Sequence, residues 1–330
     1  MTDLMPTLDA ELPSPPIPSP PIPVVVAAAR KAPAPWRYFA STVLLTVAAV
    51  LLGFAAHLVG ISALSHNSAQ KAAMDTLRID LATGQAPVGQ MRVDPVELLE
   101  AEERQEEPPP PRLLPLGTPV ALLTIPRLGL EEVIREGTTG GVLTGGPGHQ
   151  RDTVLPGQSG TSIVYGRAGA YGAPFGGIDG LLPGDEIVTV TGQGESRYQV
   201  TGVRRAGDAV PPAFNPGGGR LTLVTAAGTP FMPAGVLRVD ATLRTPAYPY
   251  PPRVLPVGSI NPAEQPLAID STNLWVLVMG IQGLLAGAIG AVWAWHRMDR
   301  VRAWVVFLPI LSVFGLLVAD QTVRLLPNLL

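Results

Sequence analysis

Between residues 119 and 244 the chain alternates short apolar runs, rich in β-branched residues, with turn residues. "VALLTIP", "TSIVYGR", "DEIVTVTG", "RYQVTGV", "RLTLVTA" and "VLRVDATL" are separated by Gly, Pro and Asp. Closely spaced strands of an all-β barrel or sandwich produce this pattern. No helical period competes with it, and "APFGGIDGLLPGDEI" offers at most one short helical turn. The segment has the size of one compact core.

Outside this segment the period changes. Residues 38–64 form an uncharged apolar run, longer than the roughly 20 residues needed to cross a bilayer. It exceeds the apolar core of a cleaved signal peptide, which points to a retained signal anchor. His57 within it reads as a tolerated polar residue. Two further spans are expected at 273–295 and 303–319, joined by the basic connector 296–302. Pro309 is admissible in a membrane helix. Arg30, Lys31 and Arg37 precede the first span, so the positive-inside rule puts the N-terminus and the connector in the cytoplasm. Residues 65–272 are then external, and 320–330 form a short external tail. In the second span Gly283 and Gly287 make a GxxxG pair, with Gly280, Ala286 and Gly290 as further small residues, a pattern suited to close helix contact within the chain or with another membrane protein.

The remaining stretches are read by composition. Residues 1–37 carry "ELPSPPIPSPPIP", which cannot form a helix and favours extended conformations, and are expected to be a disordered proline-rich cytoplasmic tail. Residues 65–118 hold a mixed helical pattern ended by "PPPPR" and are expected to be an external stalk. Residues 245–272 are a proline-rich linker returning to the membrane.

Composition narrows the function. Of 330 residues, 46% are hydrophobic and 15% charged, which fits a membrane-associated protein. The net charge is −3 and the basic residues are scattered, which argues against nucleic-acid binding. The acidic run from Glu100 to Glu107 lacks the glycine turn and ligand spacing of a calcium loop and reads as a solvated face. No metal or cofactor is implied. Cysteine is absent, which removes disulfides, thiolate metal sites and any thiol nucleophile.

In this order the external motifs resemble the sortases, membrane-anchored transpeptidases of Gram-positive bacteria, and among them the actinobacterial class E type. "LLTIPRLGLEEVIREGTT" looks like the first strands of that family, and "GGPGHQRDTVLPGQSGTSIVYGRAGAYGAPF" like its next segment. "LTLVTA" is similar to the strand that ends in the catalytic Cys, and "VLRVDATL" to the arginine-bearing strand after it. The resemblance implies an eight-stranded β-barrel outside the membrane, carried here with three transmembrane helices. It also implies a Cys nucleophile, a His acting on the amine proton and an Arg that positions substrate.

Residue by residue, the Cys position is Ala226 and the His position is Arg167, while the Arg is kept as Arg238. A methyl group cannot attack a carbonyl, and a guanidinium stays protonated. His149 matches a different family histidine and is expected to be a loop residue with a local hydrogen bond. Ala168 also replaces the family arginine beside the histidine, so the loss extends beyond one position.

Two functions remain open. One is a pseudosortase that binds a sorting-signal peptide, a cell-wall precursor or an active sortase without catalysis, with Arg238, Arg167 and Thr225 as candidate ligand-binding residues. The other is a transpeptidase or hydrolase with a relocated nucleophile, Thr225, Ser162 or Thr161, for which no base is identifiable. Arg238 and Arg167 also have a structural reading, as partners of acids such as Asp185 or Glu186.

Overall fold

The computed structural model describes residues 52–93, 95–107, 109–229, 232–269, 274–297 and 300–330. The proline-rich tail 1–37 and most of the expected first span lie outside them. From that span residues 52–64 are helical, with a π-helical stretch His57–Ile61 leading into helix α1, Ser62–Ala82.

A two-residue ladder joins β1 (Met91–Arg92) to β2 (Arg112–Leu113), with α2 (Pro95–Arg104) between them. The barrel strands follow: β3 (Pro119–Ile125), β4 (Leu130–Glu136), β5 (Gly148–His149), β6 (Gly160–Tyr165), β7 (Glu186–Thr191), β8 (Gly194–Arg204), β9 (Gly219–Thr229) and β10 (Met232–Leu243). A single turn, α3 (Gly140–Leu143), separates β4 from β5. Among the described residues these eight strands close into a barrel in the order β10-β8-β7-β3-β4-β5-β6-β9. The pairings β4–β5 and β6–β9 are parallel and the others antiparallel.

Alternation explains most of these strands. In β7 Ile187, Val190 and the residues between them alternate in environment, with Ile187, Thr189 and Thr191 buried. Side chains two apart share a face, so one face of each strand supplies the core. Leu123, Ile125, Ile134, Val164, Ile187, Tyr198, Leu221, Leu223, Leu237 and Val239 fill the interior. Strand β9 is buried on both faces from Leu221 to Ala227, because it lies between β6 and β10 and its outer face is covered too.

What covers the barrel departs from expectation in three places. The segment expected to be a stalk does not stand off the barrel. Ala73 and Leu77 of α1 pack on Val133 of β4. The Gln70 amide accepts from the Val133 N–H at 2.7 Å and donates to its carbonyl at 3.2 Å, bonding as a neighbouring strand residue would. Strand β5 is too short to reach Val133, so this polar side chain closes the edge.

The described part of the expected linker, 245–269, is wrapped on the barrel. The Tyr248 N–H donates to the Gly157 carbonyl at 2.9 Å, the Val254 and Leu255 N–H groups donate to Gln90, and Glu264 is buried. The expected free tail is likewise packed. The last helix runs to Arg324, and residues 328–330 are buried against the barrel.

Two helices among the described residues are long and apolar enough to cross a membrane, within α4 (Leu274–Arg297) and α5 (Arg300–Arg324). Helix is described to Arg297 and again from Arg300, and the last apolar helix, Val301–Arg324, runs past the expected end of the span at 319. The helices are antiparallel neighbours: Gly280 lies against Leu317, Gly283 against Phe314, Gly287 against Leu311 and Gly290 against Phe307. The small residues thus serve contact within the chain.

Candidate functional site

The site lies on the outer face of β9 and β10. Ala226 pairs with Val236 and Val224 with Arg238, so all four project to one face. Leu223, Ala227, Leu237 and Val239 project to the core. Strand β6 runs parallel to β9 on the other side, Tyr165 opposite Val224, and the chain continues through Gly166 to Arg167. The Gly166 N–H donates to the Val224 carbonyl at 3.0 Å, which fixes Arg167 beside the end of β9.

Arg167 is fully buried. Its guanidinium donates to the Leu330 carbonyl at 2.6 Å and the Gly140 carbonyl at 3.0 Å, and its carbon lies 5.2 Å from the Tyr171 ring centre. Burial lowers its pKa to about 10, with Tyr171 and Asp320 acting the other way. It therefore remains a cation at neutral pH and cannot serve as a base. Its partners are main-chain carbonyls, not the acids considered from sequence. Asp185 pairs with Arg127 and Glu186 with Arg197.

Arg238 is half-buried, and its side chain makes no hydrogen bond or ion pair among the described residues. Burial raises the pKa of the Tyr165 phenol, and the nearby Arg238 charge opposes that shift. A free guanidinium thus shares the face of Ala226.

Thr225 is buried and donates its hydroxyl to the Gly166 carbonyl at 2.8 Å. Ser162 is buried, its hydroxyl without a partner, on the core side of β6 with Val164. Thr161 lies one residue earlier on β6. The structure brings Ala226, Arg238 and Arg167 together around the ends of β6 and β9, places Thr225 on the opposite face of β9 between Leu223 and Ala227, and leaves Ser162 in the core. A cleft of about 470 Å³ opens at the end of β9, lined by Ala226, Thr225, Gly228, Val236, Phe175 and Arg205 and by neither Arg167 nor Arg238.

His149 is not a loop residue. It sits on β5, buried, its Nδ1 2.9 Å from Glu136 Oε2 and its Nε2 2.9 Å from the Val154 carbonyl. An oxygen lies at each ring nitrogen, an arrangement that favours the protonated imidazole. Burial lowers its pKa, but the Glu136 charge and hydrogen bond, the Val154 carbonyl and Asp152 together leave it raised. The pair belongs to the barrel wall.

Sequence reasoning missed the groups that lie against this site. Leu329 and Leu330 pack with Leu143, Tyr165, Val224 and Ala226. Nothing in an apolar sextet after a membrane helix signals that contact.

Residues 123–232 match the family model described as the sortase domain. Sortase E of Streptomyces avermitilis is 33% identical, over 40% of this chain and 91% of its own, with a TM-score of 0.35. The SrtF sortase of Corynebacterium diphtheriae is 26% identical, over 46% and 97%, with a TM-score of 0.36. A sortase D5 transpeptidase of Clostridium perfringens is 23% identical, over 54% and 99%, with a TM-score of 0.39. No curated protein matches. Residues 123–232 thus form a sortase-family domain.

Proposed function

We propose that this is a catalytically silent, class E-like sortase that binds a sorting-signal peptide, a cell-wall precursor or an active sortase at the outer surface of the membrane. The observation that carries the reading is the pair Ala226 and Arg167, a methyl group and a buried cation where the family has nucleophile and base. The relocated-nucleophile alternative gains no support. The Thr225 hydroxyl is committed to a carbonyl, and Ser162 faces the core. Binding can outlive chemistry, because peptide affinity comes from apolar burial and main-chain hydrogen bonds. The unpaired Arg238 supplies a charge-assisted contact on the same face.

The external placement rests on three spans, with the N-terminus and the α4–α5 connector in the cytoplasm. The described residues up to 269 ahead of α4 and residues 325–330 after α5 both pack on the barrel, which supports an even number of crossings between them.

The test uses the purified full chain with a fluorogenic sorting peptide and an amine acceptor, and calorimetry with sorting peptides and wall precursors. Turnover stays at background, and Arg238→Ala weakens binding about tenfold to a hundredfold, the range for a charge-assisted hydrogen bond, without lowering the melting temperature. Turnover that disappears in Thr225→Ala would establish the enzyme instead, and unchanged affinity in Arg238→Ala would remove that residue from the site.

A further inference from the structure

Residues 325–330, "LLPNLL", follow α5 directly and end on the face that carries Ala226. Asn328 and Leu329 are fully buried and Leu330 nearly so. The segment is held at five points. The Ala168 N–H donates to the Leu329 carbonyl at 2.9 Å, and the Asn328 N–H donates to the Ala268 carbonyl at 2.9 Å. The Asn328 side-chain amide donates to the carbonyls of Thr138 at 2.8 Å and Gln265 at 2.9 Å. Arg167 closes on the Leu330 carbonyl. The two leucines lie on Val224 and Ala226. This is peptide recognition: main-chain bonds fix an orientation and apolar side chains fill the surface between them.

Two observations mark the segment as an occupant and not as part of the frame. The eight strands close among themselves, and residues 325–330 contribute no strand to the barrel. The fit is also incomplete, since Asn328 Oδ1 is buried with no hydrogen-bond partner. A buried acceptor left unpaired weakens the segment's hold relative to a ligand that satisfies every group.

We propose that residues 325–330 are a built-in peptide occupant of the site, so that an external ligand binds beside Ala226 and Arg167 only by displacing them. The inference rests on the reading of this face as a ligand site. The displacing ligand is a peptide segment of the same chemistry, a carboxamide side chain followed by two aliphatic ones, which takes over the bonds from Ala168 and Arg167. Displacement also reaches the membrane helices. The Tyr171 hydroxyl donates to Asp320 at 2.9 Å, Asp320 pairs with Arg324, and Val323 packs on Ala170 and Tyr171, all within two turns of the segment.

The test measures binding of a fluorescent peptide of sequence VRLLPNLL to the full chain in detergent, as wild type and as Leu329→Asp/Leu330→Asp. The released variant is expected to bind it at least tenfold more tightly than wild type. Asn328→Ala, a milder change that removes two hydrogen bonds, is expected to give a smaller gain in the same direction and serves if the double variant does not fold. Equal affinity for wild type and both variants overturns the proposal, as does no binding to any chain that melts cooperatively. If VRLLPNLL binds the released chain while sorting peptides and wall precursors bind neither, the built-in occupant stands and the ligand class proposed above falls.

Discussion

At residue scale, the two cationic side chains that the family resemblance singled out have opposite environments. Arg238 is half-buried and unpaired, whereas Arg167 is buried and bonded to two carbonyls from segments 27 and 163 residues away. Both were singled out from the motifs that carry them, "TSIVYGR" for Arg167 and "VLRVDATL" for Arg238. The partners of Arg167 were not, since a main-chain carbonyl leaves no mark in the sequence that supplies it. His149 was misread for a related reason: "GGPGH" looks like a turn, yet β5 lies between β4 and β6 and draws the imidazole inside.

That burial gives a signed prediction. The raised pKa of His149 means that its contribution to stability is fully present below about pH 6.5, the ordinary imidazole value, and is lost as pH rises through the folded value. The groups facing it are Glu136, Asp152 and, through Glu136 at 3.9 Å, Arg151. Thermal melts of wild type should fall from pH 6 toward the alkaline side, and those of His149→Gln should fall less. At pH 6 the variant should be less stable by about 3 kcal/mol, as expected when one partner of a buried pair is removed. A pH dependence identical in the two chains would place the charge elsewhere.

At the scale of elements, the barrel strands were readable because burial on one face enforces period-two alternation. The packing of α1 was not readable, because its contact face mixes Ala73, Met74, Leu77 and Leu81 with the polar His66 and Gln70, which bond to β4. The wrapped segment 245–269 was hidden for a different reason. Proline-rich chain has no period, and its anchors are individual bonds such as Val254 to Gln90. In the α4–α5 pair the glycine spacing was legible, while the choice between an internal and an external partner needed the structure. A Cβ at Gly283 would overlap the Phe314 ring, and Gly315 has nothing within 4 Å. Gly283→Leu should therefore lower the melting temperature of the detergent-solubilised chain, with a cost of about 1–3 kcal/mol for overpacking. Gly315→Leu should leave it unchanged. Equal effects at the two positions would mean that the helices do not pack along this stripe.

At the scale of the whole molecule, the proposed topology places barrel, wrapped segment and residues 325–330 on one side of the bilayer. Charge around the apolar runs suggested it from sequence, and the return of α5 to the barrel agrees with it. Reporter fusions should read external at Gly145 and cytoplasmic at Arg300. The reverse pattern would invert the protein and rule out a role at the outer surface.

The short join between α5 and the residues on Ala226 also sets a competition in concentration. A segment tethered this closely meets its own binding surface at an effective concentration on the order of millimolar. A free peptide with the same intrinsic affinity would need to reach that level to displace half of it, which dilute secreted fragments do not. A rival confined to the same bilayer is concentrated by its own anchor and reaches that level from few copies per cell. The tether thus acts as a threshold that ignores soluble peptides and admits membrane-bound neighbours.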